Sequence, residues 1–300
     1  MTSLTPPLPT AFARGLPMPP LILITNDDGI HSPGLRAAVT ALAGLGERLV
    51  VAPTGQQSGM SRSLPAWFDG RIATTSLETA DEVLPAYHLA GSPAQAVLYG
   101  VLEIASRLYG RWPDLVVSGI NYGENLGSNT MISGTVGAAL QAGDMGIRSL
   151  AVSLETHKAY HLSYGQDVDW SGAIYWLRYF ARLALNPRPW PPDVAVLKID
   201  LPATITPQTP WRLTRQSRQP YFVARVVPGR DLSAAEPLDY EVVIDRTRLE
   251  PLSDIAVFAQ DRHIAVTPLS TDLTARLEGC DDLTVGLARF EAMLRQQENL

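Results

Sequence analysis

Five short runs constrain the fold more than anything else in this chain: LILIT (21–25), RLVVA (48–52), DLVVS (114–118), SLAVSL (149–154) and VAVLKI (194–199). Each is apolar at nearly every residue rather than at every second one. A strand with one face in water alternates, whereas a strand covered on both faces does not. Between the runs lie stretches with helical spacing: about 33–43, a helix beginning near Pro93 after AYHLA (86–90), TVGAALQAG (135–143) and WSGAIYWLRYFARLAL (170–185). Buried strands separated by helices build right-handed βαβ crossovers. Residues 21–202 are therefore expected to form a doubly wound α/β core with a mostly parallel sheet.

Beyond Pro202 the texture changes. WRLTRQSR, YFVARVVPG and YEVVID read as strands with polar interruptions and turn residues, a β-hairpin arm occupying 203–262. An arm of that kind covers an active site or a neighbouring subunit. SDIAVFAQ and HIAVTPL (263–269) lead back to the core, and a helix from about Leu283 to Gln297 is expected within 263–300. Residues 1–20 hold six prolines and lack a basic start followed by an apolar run, so they read as a flexible tail rather than a secretory signal.

With 300 residues, 46% of them hydrophobic, the chain can build a large core. Twenty-four Lys plus Arg against 30 Asp plus Glu give a net charge of -6, so no global positive field exists to hold a nucleic-acid polymer. A single cysteine, Cys280, excludes an internal disulfide framework and a multi-thiolate zinc site and suits a reducing compartment, the cytoplasm. No stretch approaches the roughly 18 uninterrupted apolar residues of a membrane span.

In open α/β sheets ligands bind beyond the carboxyl ends of the strands. That rule brings three segments together: NDDG (26–29) after the first strand, APTGQQSGMSRSLP (52–65) after the second, and SGINYGENLGSNTMISGTVG (118–137) after DLVVS. The last two far exceed the usual loop length of about 4–6 residues, and long loops in compact domains carry function. Adjacent carboxylates at the mouth of a buried strand repel one another unless a cation, a proton or hydrogen-bond donors offset them. Asp27 and Asp28 are thus candidate metal ligands, with Ser58 and Asn121 as further oxygen donors, a hard set suited to magnesium, manganese or calcium. N-D-D-G is equally a good turn, and its aspartates are competent helix caps. Ser133, Gly134 and Thr135 precede a small-residue helix, where N–H groups and hydroxyls converge on one spot as an anion seat, or where Ser133 simply caps. A cation beside a helix N-terminus is what a phosphoryl group needs.

Other features have plainer readings. His157 and His161 lack the glutamate of a zinc helix motif and read as surface histidines. Cys280 has no catalytic context. Trp170, Trp176 and Tyr179 lie at helical spacing and read as core or interface, and TRQSR (214–218) reads as a solvated arm.

LILITNDDGIHSPGL, the VVAPxxxxSGxS loop, AGSPAQAV, DLVVSGINYGENLG, SGTVGAALQA, TRQ and VTPL occur in the order and spacing of one family. The chain resembles the stationary-phase survival protein SurE family over roughly residues 21–270. The resemblance implies a Rossmann-like core with a C-terminal hairpin arm exchanged between subunits of a homodimer, or of a homotetramer built from dimers. It also implies a divalent-metal-dependent phosphatase, with one Mg, Mn or similar ion per subunit, acting on nucleoside 5′-monophosphates and also on 3′-monophosphates or short polyphosphate. Position by position, the family's metal ligands fall on Asp27, Asp28, Ser58 and Asn121, with Asp27 and Asp28 as catalytic residues. Its phosphate-contacting residues fall on Ser133, Gly134 and Thr135, beside Asn121. Where relatives read GTPADCV this chain has GSPAQAV, placing Ser92 for threonine and Gln95 for aspartate. Ile132 replaces the tyrosine or histidine usual before the SGT serine.

A rival class is a receiver-like phospho-acceptor or sensing module, which also carries an acidic pair after its first strand. Such a module needs an acceptor aspartate at the end of a later strand. DLVVSGIN offers serine and asparagine there.

Overall fold

The computed structural model describes residues 18–275 apart from 162, 166, 227, 228, 230, 232 and 234–238, together with 285, 289 and 291. In chain order the strands are β1 (Leu21–Thr25), β2 (Glu47–Pro53), β3 (Ile72–Glu78), β4 (Val83–Leu89), β5 (Leu115–Tyr122), β6 (Ser149–Leu154), β7 (Val196–Leu201), β8 (Trp211–Leu213), β9 (Phe222–Arg225), β10 (Asp239–Val242) and β11 (Ile264–Leu269). Nine of them make one sheet in the order β3-β4-β2-β1-β5-β6-β7-β11-β8, and β9 pairs with β10 separately. The six central strands from β4 to β7 run parallel. Antiparallel neighbours flank them, β3 against β4 and β11 against β7.

Every residue of β1, β5 and β6 is buried, which is what their unbroken apolar runs anticipate. Leu21 and Leu23 point into one hydrophobic layer with Val51, Val97 and Ala138; Ile22 and Ile24 point into the opposite layer with Leu35, Leu177 and Phe180. Helices α1 (Pro33–Ala41) and α5 (Ser171–Ala184) cover one face. The other face is covered by α2 (Pro93–Tyr99), continued through a π-helical turn (Gly100–Ala105) into α3 (Ser106–Tyr109), and by α4 (Gly134–Asp144). The fold is thus the expected Rossmann-like, doubly wound sheet. The chain leaves β1 in one direction to β2 and reaches β5 on the other side, so the crevice where strand order reverses lies beyond Thr25 and Tyr122.

Details differ from the sequence pattern. β3 is exposed along most of its length, so no apolar run announces it. WRL does not belong to the hairpin: as β8 it joins the main sheet parallel to β11, Trp211 opposite Ile264. The hairpin proper is β9 with β10, Phe222 opposite Val242. SDIAVFAQ returns to the core through a π-helical turn (Ala256–Gln260) that buries Val257 and Phe258. The expected C-terminal helix lies outside the described residues except for Val285, Arg289 and Glu291, which are helical. The Pro-rich tail likewise lies outside them up to residue 17.

Candidate active site

The turn after β1 closes on itself. Asn26 accepts from the Gly29 N–H through Oδ1 at 3.2 Å and donates from Nδ2 to the Gly29 carbonyl at 3.0 Å. Gly29 has φ +102, and a Cβ there would meet Gly55 Cα at 3.0 Å, so this position requires glycine. Helix α1 is capped by Ser32, whose Oγ accepts from Gly34 N at 3.2 Å. Neither aspartate caps it. Both point instead into the crevice floor, 4% and 1% exposed.

Asp27 abuts the start of α4. The Thr135 hydroxyl donates to its Oδ1, and the N–H groups of Gly134 and Thr135 donate to the same carboxylate. Gly134 permits this approach: a Cβ there would lie 2.7 Å from Asp27 Cβ and 2.8 Å from its Oδ2. Burial nevertheless outweighs these donors and pushes the Asp27 carboxyl up to about 6. Asp28 accepts from Tyr122 N at 3.2 Å through Oδ2 and from Gln56 Nε2 at 3.5 Å through Oδ1. Its backbone carbonyl accepts from the Tyr164 hydroxyl. Burial, then the neighbouring Asp27 charge, raise its pKa well above the ordinary range. Two shielded carboxylates, each resisting ionisation, are the electrostatic condition that a divalent cation relieves.

Asn121 reaches the crevice through an irregularity in β5. The register with β6 shifts between Ser118 and Asn121, at Gly119, where a Cβ would lie 2.3 Å from the Val152 carbonyl. Its Nδ2 donates to the carbonyls of Gly123 at 2.7 Å and Tyr122 at 3.3 Å, which orients the amide and leaves Oδ1 as its acceptor end. Ser58 is exposed in the loop after β2, and that loop is tied to the turn after β1 by Gln57 N donating to Asp27 O at 2.7 Å. Ser133 caps α4, accepting from Val136 N at 3.2 Å.

Asp27, Ser58, Asn121 and Ser133 line one cavity of about 330 Å³. Asp28 and Thr135 sit beneath it, bonded to Tyr122 and Asp27. Among the described residues no three His, Cys, Asp or Glu side chains cluster to hold a metal. The donor set is two carboxylates with a hydroxyl and an amide oxygen, the hard chemistry of magnesium or manganese.

Several contributors escaped the sequence reading. His161, expected at the surface, lines the cavity, with Nδ1 2.9 Å from the Tyr240 hydroxyl, and burial lowers its pKa. Tyr240 and Phe222 bring the hairpin over the cavity, and Tyr164 and Gln56 hold Asp28. Only contacts across the chain reveal them. Ile132 lines the cavity and is 57% exposed. Gln95 is not in it. It completes a capping box with Ser92 (3.0 and 3.1 Å) and donates from Nε2 to the Pro65 carbonyl at 3.0 Å.

The family model described as Survival protein SurE matches residues 22–222. The 5′-nucleotidase SurE of Thermococcus gammatolerans is 37% identical over 86% of this chain and 92% of that protein. Those of Thermococcus kodakarensis (35%; 85% and 94%) and Methanosarcina barkeri (36%; 87% and 96%) are similar to it over comparable lengths. The crystal structure of the SurE protein from Aquifex aeolicus superposes with a TM-score of 0.63 at 28% identity, covering 85% of this chain and 95% of that one. The chain belongs to the survival protein SurE family.

Proposed function

We infer that this protein is a 5′-nucleotidase, a phosphoric monoester hydrolase acting on nucleoside 5′-monophosphates, with 3′-monophosphates and short polyphosphate as further substrates. The observation that carries the reading is the pair of buried carboxylates at the strand-order reversal, Asp27 held against the N-terminus of α4 and Asp28 against the end of β5. The family membership and the names of the curated relatives support the same activity.

Asp27, Asp28, Ser58 and Asn121 would hold a divalent cation, one per subunit. When bound, such an ion offsets the carboxylate pair, neutralises phosphate oxygens and acidifies water. Ser133 presents its hydroxyl to the cavity, and the positive end of α4 faces the charge that develops on the phosphoryl oxygens. Gly134 and Thr135 contribute by holding Asp27, through their N–H groups and the Thr135 hydroxyl. Asp27, the carboxylate that lines the cavity, takes the proton of the attacking water as the new P–O bond forms, and returns it to the ester oxygen as the old P–O bond breaks, which releases nucleoside and phosphate. The aspartate-poor end of β5 gives a phospho-acceptor module no nucleophile.

The two-stranded hairpin leaves Val226 80% and Val242 48% exposed. Two strands alone are marginal in water, and these exposed side chains support packing of the arm against a second subunit in a homodimer or homotetramer. The single cysteine supports a cytoplasmic location, and among the described residues no helix is long and apolar enough to cross a membrane.

The test is phosphate release from nucleoside monophosphates with and without EDTA, beside thermal denaturation in manganese. Wild-type protein should turn over only with metal, and manganese should raise its Tm by ligand linkage. Asp28→Asn should lose at least about 100-fold in kcat and lose the manganese-induced Tm shift while remaining folded. Turnover in EDTA, or an undiminished Tm shift in the variant, removes the mechanism.

A further inference from the structure

The loop after β5 is pinned at every second residue. Gly123 N donates to the carbonyl of Leu154, the last residue of β6, at 2.8 Å; Asn125 N donates to Asp200 Oδ1 on β7 at 2.7 Å; and Gly127 N donates to Asp254 Oδ2 at 3.1 Å. The Asn125 carbonyl is held as well, by Lys198 Nζ at 2.7 Å and by the Thr130 hydroxyl at 3.1 Å. Lys198 and Asp200 stand two apart on β7 and so share one face of the sheet, where both side chains are fully buried and paired with each other. Asn121, Ser153 and Asp200 lie opposite one another in the register of β5, β6 and β7, and Asn125 Nδ2 donates to Ser153 Oγ at 2.8 Å. A fully buried ion pair is weak support for a fold, because desolvation of the two charges offsets their attraction. This one grips both backbone polar groups of a single loop residue.

We propose that Asp200, with Lys198 as its counter-charge, is a positioning residue for hydrolysis: by gripping Asn125 it sets the path of the loop, and so the direction in which Asn121 presents its amide oxygen. The link is short. Asn121 Nδ2 donates to the Gly123 carbonyl at 2.7 Å, two residues before Asn125, so a shift of Asn125 moves the group that orients the amide. At its far end the same loop leads through the 3₁₀ turn (Ser128–Ile132) to Ser133. Neither Lys198 nor Asp200 lines the cavity, and their influence reaches it through the backbone. The proposal rests on the phosphatase reading above, because it takes Asn121 Oδ1 to be a metal ligand.

Removing one member alone strands a buried charge, so both are changed together. Lys198→Met with Asp200→Leu removes the ion pair and the acceptor for Asn125 N, whereas Lys198→Met with Asp200→Asn removes the ion pair and keeps a neutral acceptor. Each is read by manganese titration of Tm, by urea denaturation, and by kcat and KM for AMP at saturating manganese. The leucine pair should raise the half-saturating manganese concentration and lower kcat, each by about tenfold or more, with KM changed by less than about threefold. The asparagine pair should bring both back to within about threefold of wild type, whichever pair has the lower urea midpoint. In an Asn121→Ala background the leucine pair should add less than about threefold, because the two changes act through one group. The proposal is overturned if the leucine pair matches wild type, if the two pairs lose equally, or if the loss from the leucine pair multiplies in full onto that of Asn121→Ala. Should the leucine pair fail to fold, the asparagine pair decides: a manganese response near wild type upholds the proposal, and one as weak as that of Asn121→Ala overturns it. Wild type that shows neither turnover nor a Tm shift in manganese removes the phosphatase reading instead.

Discussion

Gly134 shows how much of this site depends on a single absent side chain. Its Cα hydrogens face Asp27, and a methyl there would collide with Asp27 Cβ at 2.7 Å and approach the Gln57 carbonyl at 3.0 Å. Neither neighbour moves freely, because Gln57 N is bonded to the Asp27 backbone. Gly134→Ala should therefore displace the Asp27 carboxylate while costing about 1–3 kcal/mol of stability. A misplacement of that kind lowers kcat/KM by about 100-fold, and steady-state kinetics beside urea denaturation separates the two effects. The acidic pair itself was legible in the sequence because adjacent carboxylates at the end of a buried strand are electrostatically costly. His161 was not, since its role arises from a hairpin some 80 positions later that brings Tyr240 within 2.9 Å.

At the level of elements, the strands were readable where burial is two-sided and unreadable where it is not. β1, β5 and β6 carry the unbroken apolar pattern, whereas β3 is mostly exposed and β8 is three exposed residues completing a sheet edge. No local periodicity distinguishes an edge strand from a hairpin strand; pairing partners do. The fold accounts for the glutamine at the start of α2. With glutamine at 95 the capping box with Ser92 remains, and the amide nitrogen gains a bond to the Pro65 carbonyl that a carboxylate is unable to make. Gln95→Asp should keep α2 yet lose about 1 kcal/mol through that single bond, read as a lowered urea midpoint with an unchanged slope.

Across the whole molecule, a buried ionic cluster joins core to periphery. Lys198, fully buried on β7, donates to Asp200 at 2.5 Å, Asp254 at 3.1 Å and the Asn125 carbonyl at 2.7 Å. Asp254 in turn accepts from Gly127 N and Ser217 N, so the loop after β5 and the chain after β8 are fixed to one point. Beside that loop Glu124, 6% exposed, has its pKa pushed up to about 7, chiefly by burial. In the unfolded chain this group titrates near 4.5. Between pH 4.5 and 7 the folded state holds a proton that the unfolded state has released, so stability falls as pH rises through that window and levels off above it. The contribution is about 3 kcal/mol at one unit of pKa per 1.36 kcal/mol. Glu124→Gln should gain on wild type by that order at pH 8 and not at pH 4.5, measured as the difference in unfolding free energy.

The two-stranded hairpin has a kinetic consequence of its own. Backbone amides in the parallel strands beneath the carboxylates are sealed within two apolar layers and exchange with solvent only through global opening, while a two-stranded ribbon at the surface opens far more often. The carboxylate pair is thus anchored to the slowest-breathing part of the fold, beneath a cover drawn from the fastest.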